Sequence, residues 1–406
     1  MAGTKNPDPS RAGTARENYE HTIIACYIGY ITQAIVNNFA PLLFLTFVVE
    51  MHLTLGMITL LTTFNFGVQL LVDLASAPIV DRAGYRGSVM AAHLFAVLGL
   101  VGLAVFPTVL RAPLPGLLLA VFFYAVGGGL IEVLISPIVE ACPTEKKEAA
   151  MSLLHSFYCW GHVAVVLLST LFFRLAGIHN WRIMAVLWAL IPLVNFFWFR
   201  KVPIYPIVAE EEKTPLRDLL RSKLFWLLMI MMVCAGASEQ GMSQWASAFA
   251  EAGLHVSKTA GDLLGPCLFA ALMGSSRALY GKYSDHLPLK KMMIGSSHLC
   301  ILCYLTAVFS PGAAGGLLGC ALCGFSVGIF WPGTFSIAGW SLKSGGTALY
   351  ALLALAGDLG CSGGPTLVGM VANANAGVLK TGLLAAAAFP VIMLVSVCFI
   401  KDRSHV

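Results

Sequence analysis

Twelve apolar segments, each close to the length of a membrane-crossing helix, restrict the fold of this chain more than any other feature. A helix needs about 20 apolar residues to cross the hydrocarbon core of a bilayer. The segments lie at about 22–48, 54–80, 87–110, 114–139, 148–175, 181–199, 223–249, 257–281, 289–310, 313–339, 346–372 and 378–400. Of the 406 residues, 58% are hydrophobic and only 11% are charged, whereas about 25% are charged in a typical soluble domain. The sequence therefore predicts an all-α integral membrane protein with twelve transmembrane helices.

A signature in the first half of the chain is repeated in the second half. Residues 81–86 (Asp-Arg-Ala-Gly-Tyr-Arg) follow the second apolar segment, and residues 285–291 (Asp-His-Leu-Pro-Leu-Lys-Lys) follow the eighth. The repeat predicts two pseudo-symmetric six-helix bundles, an arrangement in which transporters place the solute between the halves. The predicted divisions are a tail at 1–21, a bundle at 22–199, a linker at 200–222, a second bundle at 223–400 and a tail at 401–406.

Both copies of the signature combine an acid at the end of a helix, a turn-forming residue and basic side chains just beyond. Such an acid can pair with cations or cap the next helix, so we expect a contact that holds an inner gate closed. The same alignment sets Asp73 against Arg277, so that a buried acid in one half faces a buried base in the other. The predicted gating residues are Asp73, Asp81, Arg82, Gly84, Arg86, Arg277 and Asp285.

The distribution of basic residues predicts the orientation of the chain. Lys and Arg collect in cytoplasmic loops, and most of the 25 in this chain fall in alternate connections that include both termini. Both termini are therefore predicted to be cytoplasmic, in a plasma membrane or bacterial inner membrane. The net charge of +5 then reports topology rather than nucleic-acid binding. The polar first 20 residues lack the apolar core of a cleaved signal peptide. A carrier made of two bundles encloses its own pathway, so we expect a functional monomer.

Four ionisable residues are predicted to lie near the centre of the bilayer, two from each half. A charge there costs about 2.5–3.5 kcal/mol on insertion scales and is seldom retained without a function. Because burial favours the uncharged form of a carboxyl group, at least one of these acids could load and release a proton. A structural alternative is that the side chains only pair with one another. The four residues are Glu132, His162, Glu239 and Asp358.

Amide and aromatic side chains suited to a hydroxylated solute accompany these four residues. Amides and carboxylates hydrogen-bond hydroxyl groups, and a flat ring packs on the apolar face of a sugar. A single tryptophan could instead lie at the membrane interface. The residues that complete the predicted solute site are Asn37, Asn38, Gln244, Trp245 and Trp331. A stripe of Asn65, Gln69 and Asp73 at four-residue spacing shares one helical face, which would line a water-filled path or a helix contact.

Metal, cofactor and hydrolytic chemistry are not expected. Cys300 and Cys303, with Cys320 and Cys323, have the spacing of a zinc site, but both pairs lie in apolar segments where buried thiolates would be costly. The sequence also lacks a zinc-protease motif, a serine-hydrolase elbow and an ATP-binding loop. We therefore expect neither an enzyme nor a bound cofactor.

The sequence resembles the major facilitator superfamily of transporters. Residues 81–86 are similar to the signature loop of that family, with Ala77 where glycine is usual, and the resemblance extends from about 20 to 400. A narrower resemblance is to the fucose permease group of sugar:proton symporters. It rests on Gly127–Glu132, Ser136-Pro137, Leu153–Phe157 with Gly161, and Glu239 with Gln244-Trp245. The resemblance implies a role in proton coupling for Glu132.

These features together predict a secondary active transporter that works by alternating access. The expected function is proton-coupled symport of a small polar solute such as a monosaccharide, with Glu132 as the coupling residue. The alternatives are efflux of drugs or organic anions, a sodium-driven or facilitative carrier, and, in a different class, a membrane-embedded solute sensor.

Overall fold

The computed structural model describes residues 9–110, 112–144, 147–205, 216–283, 288–342 and 346–400. Within these residues, twelve helices are long and apolar enough to cross a membrane, which confirms the predicted number. They are α1 Tyr19–Met51, α2 Leu55–Ser76, α3 Arg82–Val109, α4 Pro113–Val139, α5 Leu153–Ala176, α6 Ile178–Phe199, α7 Lys223–Ser243, α8 Lys258–Tyr280, α9 Leu289–Phe309, α10 Ala313–Gly339, α11 Leu349–Ala374 and α12 Leu379–Phe399.

Prolines lie at breaks in several helices, among them α1 and α8. The first helix runs from Pro9 to Asn38, continues as a 3₁₀ turn over Ala40–Leu43 and resumes at Phe44. Proline has no backbone N–H, so Pro41 cannot donate to the carbonyl group of Asn37, which is four residues earlier. In α8, a π-helical turn over Leu263–Cys267 contains Pro266. The break in α1 leaves the backbone carbonyl group of Asn37 without its helical partner.

The helices pack as two groups of six. In the first half α1 packs against α4, α5 and α6, and in the second half α7 packs against α11 and α12 while α9 packs against α10 and α12. The two halves meet along α2 with α11 and along α5 with α8. This arrangement is the two-bundle architecture predicted from the repeat.

One end of the interface between the halves is closed by side-chain contacts. We call it the outer end, after the orientation predicted from the basic residues; it carries the turn between α1 and α2. There the backbone N–H of Gly56 donates to Asn373 Oδ1 (3.1 Å), and the hydroxyl groups of Thr63 and Thr366 are 2.6 Å apart. On the opposite side of the interface Thr170 donates to Asp262 Oδ2 (3.3 Å). Polar contacts therefore close both edges of the interface at this end.

The predicted inner gate is described only in part. Gly84, close to the start of α3, lies at the kink that separates α2 from α3 and has φ 71°, a backbone conformation that glycine adopts readily. Arg86 donates to the backbone carbonyl of Phe199 (2.6 Å), so it binds the C-terminal end of α6 in its own half. The side chain of Asp81 and the whole of Asp285 lie outside the described residues, and gating by this loop remains a prediction.

Parts of the predicted N-terminal tail and of the predicted linker are helical. The helix that contains α1 begins at Pro9, within the segment predicted as a tail. In the linker, Leu216–Arg221 form a short helix, and Thr22 donates to the carbonyl of Pro203 (2.7 Å), which holds the start of the linker against α1. Residues 206–215 and 401–406 lie outside the described part.

Helices α7 and α11 approach closely through small residues. Methyl groups added at Gly360 and Gly364 would overlap the backbone of α7 at Val233 and Ala237, whereas one added at Gly363 would meet no atom within 4 Å. Small residues allow the backbones of membrane helices to approach in this way. The packing of the second half therefore depends on the absence of a side chain at Gly360.

Gly360→Ala is expected to destabilise the protein by about 1–3 kcal/mol, because a methyl group would force the two backbones apart. Gly363→Ala is the matched control: it lies on the same helix and should change stability by less than about 1 kcal/mol. Thermal unfolding of the two purified variants in detergent, followed by the reactivity of the buried cysteines, tests the difference. Equal melting temperatures for both variants would contradict the close approach.

Candidate functional site

Buried amide side chains form a hydrogen-bonded chain in the first half. Gln33 Nε2 donates to Glu132 Oε2 (2.8 Å) and to Gln69 Oε1 (3.3 Å). Gln69 Nε2 in turn donates to Asn37 Oδ1 (2.8 Å), which also accepts a bond from Asn65 (3.2 Å). Gln33, Asn37 and Gln69 are each at most 5% exposed. The carboxylate of Glu132 is therefore connected through amides to the middle of α1.

A second chain in the other half ends on an ion pair. Arg277 Nη2 lies 3.2 Å from Glu239 Oε2, and Gln240 Nε2 donates to Glu239 Oε1 (3.2 Å). Gln244 Nε2 donates to Gln240 Oε1 (3.1 Å). Arg277 Nη1 also donates to Cys159 Sγ of the first half (3.4 Å). Glu239 thus has a cationic partner, and Arg277 lies in the centre of the molecule.

The two chains are joined by a bond between the halves. Gln244 Nε2 donates to the backbone carbonyl of Asn37 (3.0 Å), the group that Pro41 leaves without a helical partner. Unpartnered buried carbonyl groups are costly, so the proline break creates an acceptor that a side chain of the other half fills. Hydrogen-bonded residues consequently connect Glu132 to Arg277, and Asn37 joins the two chains by accepting one bond at its side chain and the other at its backbone carbonyl.

Two further carboxyl groups lie near Glu132, at one end of this network. Asp73 of α2 is within hydrogen-bonding reach of Asp358 of α11, and both lie close to Glu132 of α4. This arrangement corrects the expectation that Asp73 and Arg277 face each other: the neighbour of Asp73 is a second acid, and the partner of Arg277 is Glu239. The sequence alignment matched equivalent positions in the two halves, and equivalent positions need not touch.

Other predicted solute residues lie around this network. Asn38 donates to the carbonyl of Ala34 (2.9 Å) and to the hydroxyl of Tyr158 (3.4 Å). His162 is 2% exposed on α5, and no hydrogen bond joins its ring to the network among the described side chains. The assignment of His162 to the solute site is therefore supported only by its buried position on α5.

The two predicted tryptophans occupy different places. Trp331 packs against Gly357, next to Asp358. Trp245 is fully buried at the outer end, where its Nε1 donates to the carbonyl of Pro365 (2.9 Å) and its ring centre is 5.3 Å from that of Phe44. Trp245 therefore helps to close the outer end, while Trp331 lies beside the residue that precedes Asp358.

Gln33 is a site residue that the sequence reasoning missed. It precedes Asn37 by four residues, so the two share one face of α1. This spacing repeats the pattern of Asn65 and Gln69 on α2, and it was the signal that could have identified Gln33. A search for polar pairs at four-residue spacing in every apolar segment would have found it.

The paired cysteines of α9 and α10 pack against each other. Cys300 Sγ lies 3.9 Å from Cys323 Sγ, and all four cysteines of the two pairs are buried. Within the described part of the chain no group of three or more His, Cys, Asp or Glu side chains is placed to hold a metal ion. The four thiols lie in the packed interior of the second half.

Two six-helix bundles with a polar network at their junction define a carrier-type membrane transporter. A profile of the Major Facilitator Superfamily matches residues 25–365, and the chain belongs to this family. It is therefore a multi-pass integral membrane protein of a transporter family. A comparison with curated protein sequences finds no match.

Several solved transporter structures share the fold. A bacterial homolog of the human lysosomal transporter Spinster, in an inward-facing and occupied conformation, superposes with a TM-score of 0.75 at 16% identity over 97% of both chains. A variant of the E. coli fucose:proton symporter FucP gives 0.65 at 13% identity over 95% of this chain and 100% of that one. A mutant of the nucleoside transporter NupG gives 0.73 at 13% identity over 94% and 100%. At these identities the similarity is one of fold.

Proposed function

We propose that this protein is a proton-coupled symporter that carries a small polar solute, such as a monosaccharide, by alternating access between its two halves. The observation that carries the proposal is the setting of Glu132. Its carboxylate lies half-buried at the junction of the halves, receives a bond from Gln33, and has acids rather than a described cation beside it. Burying such a group in its ionised form costs free energy, and protonation removes most of this cost.

The mechanism follows from this cost. Protonation of Glu132 removes the penalty of burying its charge, so the loaded carrier can reorient. Release of the proton to the more alkaline cytoplasm restores the charge and makes return of the solute-loaded carrier unfavourable, while the empty carrier reorients to complete the cycle. In the described state the outer end is closed, which is the arrangement expected of a carrier that has left its outward-open state. The similarity to the inward-facing Spinster homolog supports that assignment.

The proposed solute is hydroxylated. Asn37 and Gln69 supply amide groups at the junction of the halves, and Glu132 and Asp358 supply carboxyl groups beside them. These groups hydrogen-bond hydroxyls. Two structures of similar fold are those of a fucose:proton symporter and a nucleoside transporter, and fucose and nucleosides both contain a hydroxylated sugar ring.

Uptake into proteoliposomes tests this proposal. The purified protein is reconstituted, and labelled monosaccharides and nucleosides are offered with and without an inwardly directed proton gradient. We expect one solute to accumulate above its external concentration only when the gradient is present. Equal uptake with and without the gradient would exclude proton coupling, and no uptake of any member of the panel would exclude hydroxylated solutes.

A further inference from the structure

Asp73 and Asp358 form a carboxyl pair that belongs to both halves. Helices α2 and α11 run antiparallel, and their contacts follow one register: Gly56 with Asn373 at the outer end, then Thr63 with Thr366, then Asp73 with Asp358. Asp73 lies ten residues beyond Thr63, about 15 Å along a helix that rises 1.5 Å per residue. The pair is thus a contact between the halves that lies well inward of the closed outer end.

This region contains more hydrogen-bond acceptors than donors. Both carboxylate oxygens of Asp73 and the Oε1 atom of Gln33 are inaccessible to water and receive no hydrogen bond from a donor among the described residues. Gln33 is itself 3% exposed and binds Glu132. Buried acceptors without donors are rare. Protons on the carboxyl groups, water molecules or a ligand would supply the missing donors.

The titratable groups around the pair are themselves acids or weak acids. Glu132 of α4 approaches from the first half, Cys361 lies one turn from Asp358 on α11, and Tyr30 lies close to Glu132. Arg277, the arginine of the polar network, is bound to Glu239. In the part of the chain that the structure describes, no ion pair neutralises Asp73 or Asp358.

Two carboxyl groups can share a hydrogen bond only if one of them carries a proton. When both are ionised, two negative charges in a medium of low dielectric constant repel each other. We propose that Asp73 and Asp358 together bind one proton between the two halves, at a site separate from Glu132, and that this proton holds α2 and α11 together. Loss of the proton turns an attractive O–H···O contact into a repulsive one and loosens this edge of the interface.

The separation of the halves at the inner end reports the state of the pair. Ala83, close to the start of α3, and Lys291, on α9, are exposed and belong to different halves. Ketone-bearing amino acids at these two positions accept spin labels and leave the eleven cysteines untouched. Distances between the labels, measured by electron paramagnetic resonance in lipid nanodiscs over a pH series, give the ratio of near to far populations. A step coupled to one proton changes this ratio by up to about tenfold per pH unit.

The measurement is made in Glu132→Gln, so that only groups other than Glu132 titrate. We expect the near population to fall as the pH rises, and we expect Asp358→Asn or Asp73→Asn to remove this dependence. The double variant Asp73→Asn with Asp358→Asn should have the same effect on the pH dependence as either single variant, because one proton serves both residues. Thr366→Val is the control: it breaks an uncharged bond of the same interface and should shift the ratio while leaving its pH slope intact.

Two outcomes would overturn the proposal. One is the absence of any pH dependence in Glu132→Gln, which would leave Glu132 as the sole proton site of the interface. The other is an unchanged slope after Asp358→Asn and Asp73→Asn. Neither outcome bears on solute uptake, so the shared proton and the symport of the proposed function can fail independently.

Discussion

Glu132→Gln is expected to abolish proton-driven accumulation of solute while leaving exchange of solute across the membrane intact. Glutamine keeps the shape of the side chain and can accept the bond from Gln33, but it cannot lose a proton. The variant should therefore behave as the permanently protonated carrier. For a symport of one proton, the limit on accumulation is about tenfold per pH unit of gradient, and the ratio of inside to outside solute should fall to one.

The two activities are measured on the same proteoliposomes. Accumulation is followed with a proton gradient, and counterflow exchange is followed without one, after loading with unlabelled solute. Glu20→Gln is the control, because Glu20 is an exposed acid at the start of α1 and should leave both activities at the wild-type level. Accumulation by Glu132→Gln at the wild-type level would show that the coupling proton binds elsewhere.

Arg277→Gln is expected to destabilise the protein by about 3–5 kcal/mol. The reason is that removal of one partner from a buried ion pair leaves the other charge uncompensated. In this chain the stranded group would be Glu239, which is 7% exposed and would retain only the bond from Gln240. Thermal unfolding in detergent should show a markedly lower melting temperature for this variant.

The double variant Glu239→Gln with Arg277→Gln tests whether the loss of stability comes from an unpaired buried charge or from the loss of the other contacts of Arg277. Two neutral amides can hydrogen-bond each other and leave no buried charge, so the double variant should recover most of the stability that the single change loses. A double variant as unstable as Arg277→Gln would mean that the contacts of Arg277 with Gly328 and Cys159 matter more than its charge pair.

The fold was predictable because its determinants are local in the sequence. Length and hydropathy decide whether a segment crosses a bilayer, and the repeated signature indicated two bundles. The interruptions of the helices were less visible. Pro41 lies inside an apolar segment, and the sequence does not say whether a proline bends a helix or opens its hydrogen-bond ladder to a partner.

The sequence predicted which residues belong to the candidate site but not which of them contact each other. Glu132, Glu239 and Asp358 were selected because charges are costly in hydrocarbon, and the structure places all three between the halves. Their pairings depend on helix rotation and crossing geometry, which no local pattern encodes. For this reason Arg277 was expected to face Asp73 and instead binds Glu239, and the carboxyl pair of Asp73 with Asp358 was not expected.

The bond from Gln244 to the carbonyl of Asn37 affects the balance between the open and closed states of the outer end. Its acceptor is free because residue 41 is a proline, so the strength of this link between the halves is set by a backbone atom that Pro41 lacks. Any other residue at position 41 would bring an N–H group that competes with Gln244 for the same oxygen. The balance between open and closed outer ends can therefore be adjusted at a position whose side chain lies outside the polar network.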